Sequence, residues 1–564
     1  MRVLFLVIVC VVSASAAPTT AIKVDQVGYL PWAQKLALVV TTRPAREFFV
    51  RKVDDGSIAR YGRLTSPVYD PDSGDRVQIA GFSELQAEGR YYIEVPGVGT
   101  SWTFSIGRLV YRRAFYLVMR SFYGQRCGTA VDLGREFPGF KHAACHLGGG
   151  YHPSSGKSGP RVSAKGWHDA GDYGRYIVNS GISTAQLLWT WELFSNRIKD
   201  LSLDIPESGN ATPDFLDEAR WNLDWMLTMQ DEDGGVWPKQ TSEHFADFVM
   251  PENDARVSYV IGTGKEPYKS SAATADFAAV MAIAARVYKP FDAAYAQKCL
   301  TAAEAAWTWL RKYPSVTFRN PGDVLTGEYG DRDPRDEVLW SAAELWRTTK
   351  NVNYERYFLD QYQSQLPAIT AGPPSWQRVG SLALWTYMLD RSANRSARDM
   401  IRHSTLKTAD AIVARTRNSF YHHSLTSRDY VWGSNGVAAN YGVQLLIANA
   451  VKPDVQYAGA ALENLHYLFG RNPFSISWVT QLGENPFRHP HHRPSRADDN
   501  SEPWPGLLSG GPNRSRQDPV MTKLAKLPPA KMYLDDWESY ASNEIAINWN
   551  APLVFVLAAF LPEK

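Results

Sequence analysis

Two aspartates stand three positions apart in residues 167–174, whose sequence is WHDAGDYG. This run precedes a helix-like stretch, so the spacing can direct the carboxylates of Asp169 and Asp172 at one water molecule. The same spacing is common where an aspartate caps a helix and its neighbour is solvated. The pair therefore indicates catalysis only if another acidic group, in the opposite protonation state, lies elsewhere in the chain.

A second acidic segment occupies residues 533–544 (YLDDWESYASNE) and leads into an apolar, helix-like run that ends at Leu561. Hydrolysis of a glycosidic bond needs an ionised carboxylate on one face of the sugar and a protonated carboxylic acid on the other. Desolvation in an apolar helix predicts a raised pKa for Glu544, whereas the polar, glycine-rich turn around Asp172 favours an ionised carboxylate. The alternative for Glu544 is an ordinary buried, hydrogen-bonded carboxylate.

Three cysteines follow the first 16 residues: Cys127, Cys145 and Cys299. A disulfide between two of them is one expectation for an exported protein. A second expectation comes from His146, which follows Cys145 directly, and from His168 in the first acidic run. Two thiolates and two imidazoles would complete a closed, structural zinc shell. The spacing leaves the two alternatives open.

A further acidic run offers oxygen ligands of the kind that calcium prefers. Its acids, within residues 329–337 (YGDRDPRDE), are Asp331, Asp333, Asp336 and Glu337. The interleaved arginines at positions 332 and 335 could neutralise the same carboxylates, and acidic residues are ordinary at a helix start. The sequence leaves a calcium site and a solvated helix terminus open.

The 564 residues carry a formal net charge of +2, with 44% hydrophobic and 21% charged residues. This balance is that of a globular protein, and it provides no basic surface that would gather nucleic acid. The 19 tryptophans and 28 tyrosines suit stacking on sugars, although most such residues pack in cores. No organic cofactor is expected, and the protein is predicted to be a monomer.

Residues 1–16 have the features of a secretory signal peptide, with Arg2, an apolar run from Val3 to Val12, and small residues at 14–16. No later segment approaches 18 uninterrupted apolar residues, so no membrane association is expected after removal of the signal. The protein is predicted to be secreted, either to a periplasm or to the medium.

Short strand-like runs fill residues 22–106 and predict a small β-sandwich. From about residue 110 the hydrophobic period changes to 3.6, and about twelve helices with long connecting loops suit six α-hairpins wound into a toroid. The loops would then form a cleft at one end. The predicted helices are residues 110–122, 174–198, 212–230, 271–288, 292–312, 335–349, 353–364, 376–391, 396–416, 436–450, 455–469 and 542–561.

Four stretches, in order, resemble family 9 glycoside hydrolases of the subgroup with an N-terminal immunoglobulin-like domain. Residues 22–31 (IKVDQVGYLP) are similar to the first strand of that domain, and residues 169–172 (DAGD) are similar to the family's nucleophilic-water motif. Its histidine signature resembles residues 477–480 (SWVT), Gly483, Asn485, Pro490, His491 and Arg493. Its acid signature resembles Tyr533, Asp535, Tyr540, Glu544, Ala546, Asn550 and Ala551.

The resemblance implies a mainly α fold: an (α/α)6 catalytic barrel at residues 108–564 after an immunoglobulin-like β-sandwich at residues 17–107. It also implies inverting hydrolysis of β-1,4-glucans. Carried over residue by residue, Asp172 resembles the general base, Asp169 its partner on the same water, and Glu544 the general acid.

The remaining site residues follow from the same resemblance. Asp535 is the other acidic position of the acid signature, and His491 and Arg493 are similar to residues that line the sugar sites. Trp376 and Trp432 are candidate sugar-stacking platforms, with packing inside the toroid as the alternative. The cysteine and histidine set matches a zinc site of this subgroup, and calcium sites are common in the family.

The sequence as a whole predicts an endo-β-1,4-glucanase acting on cellulose, mixed-linkage glucan or cello-oligosaccharides. One alternative is an exo-acting member, such as a cellobiohydrolase, a β-glucosidase-like enzyme or an exo-glucosaminidase. Another is a non-catalytic glycan-binding protein, against which the joint presence of Asp169, Asp172 and Glu544 argues. Asn548 and Trp549 stand where some members have Asp-Tyr, so neither residue receives a role.

Overall fold

The structure, a computed structural model, describes residues 17–563. The predicted signal peptide at residues 1–16 lies outside the described residues. Within them, a β-sandwich is followed by a mainly helical unit, and none of their helices is both long and apolar enough to cross a membrane.

The N-terminal unit is built of strands β1 (Ile22–Lys23), β2 (Gly28–Tyr29), β3 (Leu36–Val40), β4 (Glu47–Lys52), β5 (Ile58–Arg63), β6 (Val68–Tyr69), β7 (Arg76–Gly81), β8 (Gly89–Val95), β9 (Gly99–Thr100) and β10 (Phe104–Ile106). One sheet has the order β1-β3-β7-β6, and the other has the order β2-β10-β8-β4-β5 with β9 paired to β8. Alternate residues of β8 are buried in the sandwich core, as the two-residue period of a strand requires.

The second unit contains, within the described residues, helices α1 (Arg112–Gly124), α2 (Ile177–Ile198), α3 (Asp214–Thr228), α4 (Ser271–Tyr288), α5 (Ala293–Lys312), α6 (Arg335–Thr349), α7 (Val352–Gln365), α8 (Gly380–Leu389), α9 (Arg395–Asn418), α10 (Ser434–Val451), α11 (Val455–Leu468), α12 (Arg493–Ala497), α13 (Tyr540–Asn543) and α14 (Ile547–Ala559). It also contains short strands that the helical periodicity did not predict: β11 (Val131–Asp132), β12 (Lys141–His142), β13 (Gly148–Tyr151), β14 (Pro160–Val162), β15 (Arg175–Tyr176), β16 (Lys239–Thr241) and β17 (Ser258–Ile261).

The helices pack in an alternating pattern. Helix α2 lies between α14 and α4, α6 lies between α4 and α8, and α14 lies between α2 and α10. Each of α2, α4, α6, α8 and α10 also contacts the helix that follows it in the chain, and α14 contacts α1. Helices α4 and α14 are buried on nearly every face, as expected for helices that are apolar all round.

The N-terminal sandwich helps to hold the segment that leads to the predicted site. The side-chain carbonyl of Gln26 accepts hydrogen bonds from the backbone N–H groups of Glu484 and Asn485, at 3.1 and 2.7 Å. Its amide donates to the carbonyl of Ser475 at 3.0 Å. These contacts fix the backbone a few residues before His491.

Candidate active site

A cleft of about 750 Å³ opens among the loops of the helical unit. Much of its lining comes from the segments just before the N-termini of α2, α6, α8, α10 and α14. Because helices α2, α4, α6, α8, α10 and α14 form the packed interior, the cleft is a surface built from loops on a rigid helical scaffold. Its lining includes Asp169, Asp172, Trp376, Trp432 and Glu544.

Backbone hydrogen bonds join the sequence motifs directly. The N–H of Ile547 donates to the carbonyl of Asp169 at 2.9 Å, and the N–H of His491 donates to the carbonyl of Asn543 at 2.9 Å. His491 and Glu544 also pair as an isolated parallel bridge. The acidic pair, the histidine segment and the C-terminal acid are therefore held in one place by main-chain contacts.

Asp169 is buried, and each of its carboxylate oxygens accepts a hydrogen bond. Its Oδ1 accepts a hydrogen bond from the amide of Asn179, and its Oδ2 accepts one from the hydroxyl of Tyr329, each at 2.6 Å. Burial and the neighbouring charge of Asp172 raise the pKa of Asp169 to about 8, although both hydrogen bonds oppose the rise. Burial and the second carboxylate therefore both oppose ionisation of Asp169.

In the part of the chain that the structure describes, Asp172 is hydrogen-bonded through only one of its two carboxylate oxygens. Its Oδ2 accepts hydrogen bonds from the N–H of Gly174 at 3.0 Å and from the hydroxyl of Tyr176 at 3.1 Å. Among the described residues, its Oδ1 accepts no hydrogen bond, and the side chain lines the cleft. This arrangement fixes one oxygen and leaves the other for water.

Glu544 lies at a break between two helices, and the prediction of an acid inside an apolar helix was wrong in this detail. Helix α13 ends at Asn543, and Glu544 is extended, with φ −67° and ψ 158°. The extended backbone lets its carbonyl accept a hydrogen bond from the N–H of Gly510 at 2.7 Å. Desolvation, followed by the charges of Asp172 and Asp169, raises the pKa of Glu544 well above its usual range.

His491 and Asp535 lie beside the cleft and are not among its lining residues. The Nδ1–H of His491 donates to the carbonyl of Trp537, and burial lowers the pKa of the imidazole to about 4, so the ring is neutral near pH 7. Asp535 accepts the backbone N–H groups of Arg488 and His489 at 2.8 and 2.7 Å. In the structure Asp535 shapes the turn that leads to His491.

Arg493 is buried and holds backbone groups. Its Nε donates to the carbonyl of Ala246 at 2.8 Å, and its Nη1 donates to the carbonyl of Gly171 at 2.6 Å. Its predicted contact with sugar therefore stays a prediction, while its contact with the loop between the two aspartates is direct.

Trp376 and Trp432 both reach the cleft. Trp376 contacts the ring of Tyr329 edge-on at 5.0 Å, and Trp432 packs on Tyr540 at 5.5 Å. Trp432 is 39% exposed, so much of its indole surface is open to a ligand. Exposed indoles on the wall of a cleft suit the apolar faces of sugar rings.

The predicted zinc ligands come together. Donor atoms of the two cysteines and two histidines lie within 4.8 Å of one another: Cys127, Cys145, His146 and His168. Both cysteines are free thiols, so the structure contains no disulfide between them. The Nδ1 atom of His146 is buried and has no hydrogen-bond partner among the described residues, as a metal-facing nitrogen would. The donor set therefore fits a closed zinc shell.

The predicted calcium ligands separate into two groups. Asp333 is exposed and pairs with Arg335, so its carboxylate is already neutralised. The other three acids gather beside a fourth, from α4, that the sequence analysis missed; together these are Asp276, Asp331, Asp336 and Glu337.

Both carboxylate oxygens of Asp276 and of Glu337 are buried without a hydrogen-bond partner among the described residues. Burial and the nearby charge of Asp336 raise the pKa of both groups well above the usual range. The donor sets whose ligand atoms all lie within 4.8 Å, among the described residues, do not include these acids. Burial therefore favours the protonated forms of Asp276 and Glu337, and calcium there stays a prediction.

Three residues that position the aspartates were missed by the sequence analysis: Asn179, Tyr176 and Tyr329. An asparagine in the apolar start of α2 was a usable signal, because a buried amide needs a partner. Tyr329 carried no such signal, since its contact with Asp169 spans 160 positions.

Three carboxylates in one cleft, with raised pKa values on Asp169 and Glu544 and with indoles on the walls, define a glycoside hydrolase. Comparison with known sequences agrees. The chain belongs to glycosyl hydrolase family 9, whose profile matches residues 111–557. The profile of the cellulase N-terminal immunoglobulin-like domain matches residues 17–100.

Matches to individual relatives cover both the sandwich and the helical unit. Endoglucanase D of Acetivibrio thermocellus is 38% identical over 545 residues, covering 96% of this chain and 83% of the relative. A xyloglucan-specific endo-β-1,4-glucanase of Bacteroides ovatus is 35% identical, covering 97% of this chain and 95% of the relative. The crystal structure of a zinc-binding triple mutant of the family 9 endoglucanase J30 superposes with a TM-score of 0.87 at 34% identity, covering 95% of this chain and 100% of that one.

Proposed function

We propose that this protein is a secreted endo-β-1,4-glucanase that hydrolyses cellulose, mixed-linkage glucan or cello-oligosaccharides with inversion at the anomeric carbon. The observation that carries the proposal is the pair of unlike acids in one cleft. Asp172 has an oxygen free for water in a polar turn, whereas Glu544 has a raised pKa. The names of the relatives, endoglucanase and endo-β-1,4-glucanase, favour the same substrate class.

In the proposed reaction, a water molecule attacks the anomeric carbon while Asp172 takes a proton from that water. The bond from that carbon to the leaving oxygen breaks, and Glu544 gives its proton to the leaving oxygen. Asp169 acts on the same water and is itself held by Asn179 and Tyr329. The cycle closes when the proton on Asp172 is lost and Glu544 is protonated again.

We also propose that the helices form an (α/α)6 barrel, with a domain boundary near residue 107. Six pairs of chain-adjacent helices, counting α14 with α1, are consistent with six α-hairpins. The last strand of the sandwich ends at Ile106 and α1 begins at Arg112, which leaves a short linker between the two units.

A time course of products from cellohexaose, resolved by chain length and by anomer, tests this function. Mixed early products with the α-anomer formed first are expected, because an open cleft accepts the chain at several registers and inversion converts β to α. A single short product from the outset would instead identify an exo-acting enzyme. Wild-type protein that cleaves neither cellohexaose nor xyloglucan would overturn the proposal, and glucosamine oligomers would then be tested.

We further propose that the Cys127, Cys145, His146 and His168 set holds a structural zinc ion. A closed shell of four protein ligands leaves no position for substrate, so the metal would stabilise the fold without joining the reaction. Because His168 immediately precedes Asp169, the ion would fix the start of the catalytic turn.

We propose in addition that calcium binds the buried acids around Glu337, and this predicts a pH-dependent effect on stability. The pKa of these acids is higher in the folded state than in the unfolded state. Their contribution to stability is therefore fully present below the unfolded-state pKa and is lost as pH rises through the folded-state pKa. Calcium would bind the ionised form, so millimolar calcium should raise the Tm more at about pH 8 than at about pH 5.

Calorimetry after dialysis into calcium-free buffer, with and without added calcium chloride, measures this difference. Glu337→Gln should abolish the calcium-dependent gain, whereas Asp333→Asn, which changes an exposed and ion-paired acid, should keep it. An equal gain in Tm at both pH values, or an undiminished gain in Glu337→Gln, would contradict the site.

A further inference from the structure

One carboxylate that is not itself a predicted metal ligand contacts His146, one of the predicted ligands. The side chain of Asp254 is 2% exposed, and its Oδ2 lies 3.3 Å from the Nε2 of His146. The other ring nitrogen of His146, Nδ1, is the buried and unpartnered atom among the metal donors. One ring nitrogen of His146 is thus available to a metal, while the other is hydrogen-bonded to a carboxylate.

We propose that Asp254 is a positioning residue for the metal site and that it couples metal binding to the cleft. By accepting the Nε2–H of His146, it fixes the tautomer that leaves the lone pair of Nδ1 for the ion, and it fixes the ring orientation. This inference rests on the proposed zinc site.

The coupling runs through residues 245–254, a segment that starts at the cleft and ends at the metal site. Phe245 lines the cleft, and the ring of Phe248 lies 5.3 Å from that of His491. Arg493 holds the start of the segment through the carbonyl of Ala246. The end of the segment is held by the contact between Asp254 and His146.

Tyr173 makes a second connection between the metal site and this segment. Its ring centroid lies 5.2 Å from that of His146 and 4.9 Å from that of His168, so it packs against both predicted histidine ligands. Its hydroxyl donates to the carbonyl of Val249 in the middle of the segment. Loss of the ion would free both rings and thereby loosen the segment that presents Phe245 to substrate.

The same segment supplies a matched control. Asp247 is 87% exposed and contacts only the guanidinium of Arg256 among the ion pairs of the described residues. Asp254 also pairs with Arg256, at 3.3 Å, and differs from Asp247 by its burial, by its contact with His146 and by accepting the backbone N–H of Arg256 at 3.1 Å. A comparison of the two aspartate-to-alanine variants therefore controls for the ion pair with Arg256, which both aspartates make.

The experiment compares the wild-type holoenzyme with Asp254→Ala and Asp247→Ala by competition of bound zinc with a chromogenic chelator. Asp254→Ala should lose about 10- to 100-fold in zinc affinity, the usual cost of removing an outer partner of a histidine ligand. The cobalt-substituted variant should show altered ligand-field absorption. On cellohexaose, KM should rise while kcat changes by less than about twofold, and Asp247→Ala should match wild type.

The possible results distinguish the zinc site from the role of Asp254. Wild type purified with no zinc, and unable to bind added zinc, would overturn the metal proposal without touching the glucanase function. Zinc affinity in Asp254→Ala equal to that of wild type would overturn the role of Asp254 alone, and so would an equal loss in Asp247→Ala. If Asp254→Ala does not fold, Asp254→Asn replaces it, with a smaller loss of zinc affinity expected because its carbonyl oxygen still accepts a hydrogen bond.

Discussion

The Glu544→Gln variant is expected to lose about 10²- to 10⁴-fold in kcat on cellohexaose, the usual contribution of a general acid. Glutamine keeps the size of the side chain but has no proton to give to a leaving sugar oxygen. Binding of the oligosaccharide should persist, because the indoles of Trp376 and Trp432 and the aspartate pair are unchanged. Steady-state kinetics and calorimetric binding measure the two quantities separately.

A substrate with a good leaving group gives the sharper test. A dinitrophenyl cellobioside needs little protonation as it departs, so Glu544→Gln should keep most of the wild-type rate on it. In wild type, activity on cellohexaose should fall as pH rises through the raised pKa of Glu544, and the variant should lack this alkaline limb. Glu538→Gln, an exposed change six positions away, is the control and should behave as wild type. Equal losses on both substrates would exclude Glu544 as the acid.

The kcat of the Asp172→Asn variant is expected to fall by a similar factor, about 10²- to 10⁴-fold, on both kinds of substrate. Activation of water is required whatever the leaving group, so the dinitrophenyl substrate should not recover the rate. The amide still fills the site and still accepts from Gly174 and Tyr176, which limits the change to the loss of a base.

Chemical rescue separates the two aspartates. Azide can enter the space left in Asp172→Ala and attack the anomeric carbon, so added azide should restore turnover and yield the α-glycosyl azide. Asp169→Ala should not respond in this way, because Asp169 is 1% exposed and its two carboxylate oxygens are held by Asn179 and Tyr329. Rescue of Asp169→Ala but not of Asp172→Ala would reverse the two roles.

Local patterns in the sequence located most of the helices. The apolar period predicted residues 271–288 and 335–349, and α4 and α6 have these bounds. The strand predictions in the sandwich are likewise confirmed, for example by β8 (Gly89–Val95). These elements follow from side-chain periodicity, which is a property of neighbouring residues and needs no knowledge of the fold.

Errors arose where tertiary contacts override local pattern. The predicted helix over residues 542–561 is broken at Glu544, because the backbone there pairs with His491 and bonds Gly510. The predicted helix at 376–391 begins instead at Gly380, which leaves Trp376 in the loop that lines the cleft. Strands such as β13, with the sequence GGGY, carry no alternating pattern and were not predicted.

The sequence by itself determined the acidic motifs and the order of the elements, since each depends on residue type and short spacing. The metal donor set followed from the family resemblance, because its wide spacing left a disulfide open. Only the tertiary structure decided the environment of each acid. Tyr329 reaches Asp169 across 160 positions, and Asp276 joins Glu337 from a different helix. Protonation and orientation depend on burial and on partners brought together by packing, and these are properties of the folded chain rather than of any local segment.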